Sequence, residues 1–139
     1  MASQISVEIR QVSVSASEAL IGRHRVTIDR PTAKGGTDAG PMGGELFLAA
    51  VGGCFMSNLL AAIVAREAAV SGARVEVVGT VEGSPSRFAA VELHVSADAG
   101  DPEMLARLVE VADRGCIMIN TLRGTLDLQV LISSPSLTQ

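Results

Sequence analysis

Residues 48–65 read LAAVGGCFMSNLLAAIVA, and the reading of this stretch decides what the rest of the chain must be. It holds no charged residue, and it places Cys54 directly after Gly52 and Gly53. Three readings compete: a membrane span, a plain core helix, and a helix that buries a reactive thiol. About 20 apolar residues in helical form cross a bilayer, and Leu46–Ala65 is long enough. Against a span, the apolar content leans on Ala and Gly as much as on Leu and Ile. Ser57 and Asn58 interrupt it, and its N-terminal side has no basic flank. The segments around it carry the periodicities of amphipathic, water-facing structure.

Read as a soluble helix over residues 45–70, the segment has small residues at every fourth position: Ala49, Gly53, Ser57, Ala61, Ala65 and Ala69. Such a row forms a shallow groove that lets another element approach closely. The other faces carry Phe47, Phe55, Leu59, Leu60, Ile63 and Val64, among others. A helix that is apolar all round must be buried all round. At about 1.5 Å per residue it makes a rod of roughly 30 Å, more than one small subunit can cover. The expectation is a homodimer with an extensive apolar interface. Adjacent glycines cost about 1 kcal/mol each relative to alanine inside a helix, so they point to a close approach of backbone or ligand beside Cys54. On composition alone, Cys54 also reads as a small buried hydrophobe.

The whole chain is consistent with a globular domain. Its 139 residues are 47% hydrophobic and 19% charged, with no Tyr or Trp, so the core must be built from aliphatic side chains. A net charge of −4 without a basic run argues against nucleic acid as a partner. The N-terminus, MASQISVEIRQVSV, lacks a basic region followed by an apolar block, so no secretory signal is read and a cytoplasmic location is expected. Thiols stay reduced there. Cys54 and Cys116 are far apart in sequence, and with only His24 and His94 besides, no metal-ligand spacing is present.

Along the chain, residues 5–9 alternate as a strand, with the phase slipping at Gln11 and Val12, where a bulge would fit. Residues 20–29 read as a second strand, ended by Arg30-Pro31. Lys34–Gly44 is a glycine-rich loop without a phosphate-binding signature. After the long helix, residues 74–82 and 87–97 form a hairpin around Gly83–Ser86. Residues 101–115 form a helix with Asp101 as N-cap, Pro102 at its first position, Gly115 at its end, and a stripe of Leu105, Leu108, Val109 and Ala112. A short segment, CIMINTL, precedes a final strand over residues 125–132. Hairpins and strand runs predict a mostly antiparallel α+β fold in a single domain, residues 1–139.

With those elements in place, DRPTAKGGTDAGPMGGELFLAAVGGCF (residues 29–55) resembles the segment leading into the first cysteine helix of the OsmC/Ohr family, the osmotically inducible and organic hydroperoxide resistance proteins. The shared elements are the Asp-x-Pro, the Gly-Gly loop and Glu-Leu-x-x-Ala-Ala-x-Gly-Gly-Cys, together with a second cysteine in ADRGC (residues 112–116). The element order matches along essentially the whole chain. The resemblance implies an intertwined α+β homodimer around two long helices. It also implies a thiol peroxidase site at the subunit interface, with no metal, flavin or other cofactor. Cys54 would be the peroxidatic cysteine and Cys116 the resolving one. An arginine from the N-terminal strands would face the thiol, with Arg23 the closest match and Arg25 the substitute. Two positions depart from the family pattern. The hydroperoxide reductases have a glutamate, paired to that arginine, where this chain has Gly44, which leaves Glu45 as the neighbouring carboxylate. A proline commonly follows the second cysteine where this chain has Ile117.

The implied chemistry has a physical requirement. At the ordinary thiol pKa of about 8.5 only roughly 3% is ionised at pH 7, and burial lowers that further. A buried reactive cysteine is therefore expected to need a partner cation. The expected partners are a small organic hydroperoxide, an external dithiol reductant of lipoyl or thioredoxin type, and a second copy of the chain, with neither nucleic acid nor membrane involved. The alternative is the same dimeric fold binding an apolar ligand or sensing redox state without turnover.

Overall fold

The computed structural model describes residues 2–133. These fall into two compact units divided after Phe47. The first unit is a three-stranded antiparallel sheet of β1 (Glu8–Gln11), β2 (Ser17–Ile21) and β3 (His24–Ile28), in that spatial order. Residues 20–29 are therefore not one strand. The chain reverses at Gly22-Arg23, and Ile21 pairs with His24. Gly22 has φ 58° and Arg23 is not among the positive-φ residues, which suits a two-residue hairpin with glycine first. The apolar alternation carries across this turn, which hid the reversal. The expected bulge at Val12 is instead the end of β1. There the Val12 and Ser13 N–H groups both bond the Ala16 carbonyl, at 3.0 and 3.2 Å.

Beyond β3 the glycine-rich segment is organised by one carboxylate. Asp29, 3% exposed, accepts hydrogen bonds from Arg30 N (2.7 Å), Thr37 N (3.0 Å), Thr37 Oγ1 (2.6 Å) and Ala39 N (3.1 Å). The Thr37 hydroxyl, followed by the Ala39 N–H, holds this carboxyl far below the usual carboxylate range against the opposing effect of burial. The loop delivers the chain to α1 (Gly43–Ala65), which continues into the second unit.

The second unit has β4 (Val70–Glu82) antiparallel to β5 (Arg87–Ala99), as the hairpin pattern predicted, with β6 (Asp127–Ile132) parallel on the other side of β5. A parallel neighbour needs a long crossover, and α2 (Pro102–Gly115) and α3 (Ile117–Leu122) supply it. Val91, Leu93 and Val95 of β5 are fully buried on one sheet face. Their cross-strand partners Gly79, Val77 and Val75 share that face. Gly52 of α1 lies against it: a Cβ there would come within 2.6 Å of Val77 Cγ2, so only glycine fits. Gly53, by contrast, faces open space. One of the paired glycines is thus explained by helix–sheet packing, and the other belongs to the small-residue row.

Helix α2 follows its sequence pattern. Asp101 accepts from Glu103 N at 3.0 Å, and Leu105, Leu108, Val109 and Ala112 are its buried residues. Helix α1 ends earlier than residue 70. The Ala68 N–H bonds Ile63 O and the Glu67 N–H bonds Val64 O, with Glu67 at φ 47°, and this left-handed closure releases the chain into β4. Nor is α1 buried all round within this chain. Its buried residues are Val51, Gly52, Phe55, Leu59 and Ala62. Leu60 is 49% exposed and Val64 76%, and Ala49, Gly53, Ser57, Ala61 and Ala65 are exposed beside them. By length and composition alone α1 could also cross a membrane. Its buried face is already occupied by the sheet.

Candidate functional site

Cys54 sits half-buried in the middle of α1, and Cys116 is fully buried at the corner between α2 and α3. Both are free thiols, and the Cys116 Sγ–H donates to Cys54 Sγ at 3.1 Å. The two cysteines lie 62 residues apart in sequence, and the long crossover from β5 brings them together. A disulfide requires an S–S distance of about 2.05 Å, so roughly 1 Å of further approach would close the bond.

The corner that carries Cys116 is held from several sides. Cys116 caps both helices, and its N–H bonds the Asp113 carbonyl at 3.2 Å. The Asn120 side-chain amide donates to the Arg114 carbonyl at 3.0 Å, and Arg123 pairs with Asp113 at 2.7 Å. CIMINTL is therefore a short helix folded back on the end of α2. Its first turn presents N–H groups that have no partner within the helix.

Those N–H groups decide the electrostatics. Burial is the largest single influence on Cys54 and opposes ionisation. The Met118 N–H, the Cys116 thiol and the Ile117 N–H together outweigh it and bring the Cys54 pKa below its ordinary value. Cys116 moves the other way. Burial pushes it up, and the sulfur of Cys54, through both their hydrogen bond and their charge, adds to the rise against the Ile119 and Met118 N–H groups. The pair is polarised, with the thiolate favoured on Cys54 and the proton on Cys116. Within the second unit, backbone amides and one thiol produce this polarisation.

The other sequence candidates lie in the first unit. Arg23 is exposed in the β2–β3 turn. Arg25 is on β3 and pairs with Glu18 at 3.3 Å. Glu45, in the first turn of α1, accepts from the Met42 N–H at 2.9 Å and so serves as a helix-start cap. The sequence reading gave no role in the site to Asn58, Asn120, Ile117 or Met118. Ile117 carried a usable signal: only a residue other than proline has an N–H to offer there. Among the described residues no cluster of His, Cys, Asp and Glu could hold a metal ion.

The sequence profile of the OsmC-like protein family matches residues 35–130, a span that includes both thiols. The chain belongs to the OsmC-like family. Solved structures agree on the fold at low identity. This OsmC-like chain is similar to the OsmC-like protein of Mycoplasma pneumoniae, with a TM-score of 0.83, 18% identity, and 96% and 99% of the two chains covered. It is similar to an organic hydroperoxide resistance protein of Elizabethkingia anophelis (TM-score 0.75, 21% identity, covering 96% and 99%). It is also similar to the organic hydroperoxide resistance protein OhrB of Bacillus subtilis (0.70, 20%, covering 94% and 98%). Among curated proteins no sequence matches.

Proposed function

We propose that this OsmC-like protein is a thiol peroxidase that reduces organic hydroperoxides in the cytoplasm, cycling Cys54 and Cys116 between dithiol and disulfide. The observation that carries the reading is the polarised pair: a thiol donating at 3.1 Å to a partner sulfur whose ionised form the backbone favours. The Cys54 thiolate attacks the terminal oxygen of the hydroperoxide, the O–O bond breaks, and the alkoxide leaves as the alcohol on gaining a proton. Cys54 is then a sulfenic acid. The Cys116 sulfur attacks it, and the hydroxyl departs as water with the Cys116 proton. An external dithiol of lipoyl or thioredoxin type returns both thiols by exchange. The apolar setting favours alkyl hydroperoxides over hydrogen peroxide. The uncovered stripe of α1 with Leu60 and Val64 is closed by a second copy, giving the homodimer.

The relatives titled as hydroperoxide resistance proteins support this reading. The competing reading, a dimer that binds an apolar ligand or senses redox state, draws on Gly44, where the resemblance implies a glutamate. Consumption of cumene hydroperoxide and hydrogen peroxide with dihydrolipoamide, or with thioredoxin and its reductase, separates the two. Turnover that prefers the organic peroxide is the expected result. Absence of turnover with every dithiol would leave the ligand-binding reading.

A further inference from the structure

Asn58 is the feature of α1 that the peroxidase reading leaves unused. An asparagine in a helix interior is less favourable than alanine, and burying its amide without a partner is costly. Asn58 is half-buried, and its Nδ2 donates to the Ala112 carbonyl, 3.4 Å away on α2. A Cβ placed on Gly115 would lie 3.5 Å from the same Nδ2, so the amide sits on the last turn of α2.

That carbonyl is available for a specific reason. The last four C=O groups of a helix lack intrahelical partners. The natural donor to Ala112 O would be the N–H of Cys116, four residues on. Cys116 is instead extended, at φ −82° and ψ 113°, and its N–H bonds Asp113 O. The Asn58 amide docks on that carbonyl from α1 and so ties the last turn of α2, next to Cys116, to the helix that bears Cys54. The geometry is paired: Cys54 meets Cys116 and Asn58 meets Ala112, each contact one helical turn from the other on α1. Asn120 clamps the same corner from α3, but only Asn58 lies on the helix that bears the other cysteine.

We propose that Asn58 is a positioning residue of the dithiol: its side-chain amide, docked on the carbonyl end of α2, sets the approach of Cys116 to Cys54 and so the ease with which they close to a disulfide. The proposal rests on the reading of the two thiols as a redox pair, but it needs no peroxide chemistry.

The test is equilibration with glutathione, in which the dithiol and one glutathione disulfide give the protein disulfide and two glutathione thiols. Wild type is compared with Asn58→Leu, which has similar bulk and no donor, and Asn58→Asp, which has similar shape and only acceptors. The equilibrium constant for closure should fall about 3- to 10-fold in both, the scale of one lost hydrogen bond. Circular dichroism and thermal midpoint report on folding. For wild type, the side-chain amide resonances of Asn58 should be protected from exchange in the reduced protein and shift on oxidation. Unchanged constants in folded variants would overturn the proposal, as would wild-type amide protons that exchange freely and ignore oxidation. The second criterion decides the matter if the variants do not fold. A reduced constant alongside absent peroxide turnover would keep this proposal and end the peroxidase one. No wild-type disulfide at any glutathione ratio would end both.

Discussion

Helices α1 and α2 each bring a cysteine to the same point, yet they are built on opposite plans. Helix α2 is amphipathic: its buried residues are Leu105, Leu108, Val109 and Ala112, and its other side carries charge. Its needs are met inside the chain. Helix α1 has no polar face. It buries Val51, Phe55 and Leu59 and leaves Leu60 and Val64 exposed beside a row of small residues. The difference teaches that local pattern is enough to specify an element whose partners are its own neighbours. An element that is apolar all round states a requirement without naming what meets it. The thiol carried by the incompletely covered helix is also the one held towards its ionised form.

The largest expected effect separates the two cysteines. Cys54→Ser should abolish peroxide reduction. Cys116→Ser should complete one turnover and then accumulate sulfinic and sulfonic acid at Cys54 under excess peroxide. Single-turnover kinetics with mass spectrometry reads both, and equal loss without overoxidation would contradict the assignment.

Next, the helices should respond differently to truncation. Leu108→Ala, in the finished core of α2, should cost about 2–5 kcal/mol by denaturant unfolding at any protein concentration. Leu60→Ala should destabilise only in a concentration-dependent way if, as proposed, its cover is a second copy. Gly53→Leu fills the groove and should yield monomers in sedimentation. A stable Gly53→Leu dimer would break the comparison.

A third prediction concerns the backbone donors. Ile117 is the first residue of α3, where proline is tolerated. Ile117→Pro removes the N–H with little strain, so the midpoint of iodoacetamide alkylation of Cys54 should move to higher pH. The rate at neutral pH should fall several-fold, while Ile117→Val leaves both unchanged. The sign follows from the direction of the shift: a donor that favours the thiolate lowers the pKa, so losing it raises the pKa. An unmoved midpoint would assign the effect elsewhere.

The smallest effect is expected at Asp29. Its folded-state pKa is depressed, so its stabilising contribution is complete above the unfolded value, about 3.9, and is lost as pH falls towards the folded value. Asp29→Asn should lower the thermal midpoint by a few degrees at neutral pH. The gap to wild type should narrow below about pH 4. A gap independent of pH would mean that shape, and not charge, organises the loop.

Much of this fold is legible in the sequence where local rules act alone. Asp101, Pro102 and the α2 stripe fix that helix, and Gly83–Ser86 fixes the hairpin. Reading failed where the deciding group is a backbone atom or a turn hidden within apolar alternation. Gly22 reverses a run that looks like one strand, and Glu67 closes α1 in a conformation for which glycine is the usual marker. At the site, the two thiols were evident from their sequence contexts. The amides of Ile117 and Met118 were not, because N–H groups carry no letter. Asn58 was visible only as a polar interruption, since its partner lies 54 residues away.

The burial of Cys116 gives the pair a direction. A disulfide between a fully buried sulfur and a half-buried one has a single accessible face. In the proposed cycle an incoming dithiol would reach the Cys54 sulfur, so the mixed intermediate would form on α1 with Cys116 as the leaving group. The reductant of that cycle therefore enters on α1, and Cys116 stays enclosed through both halves of it.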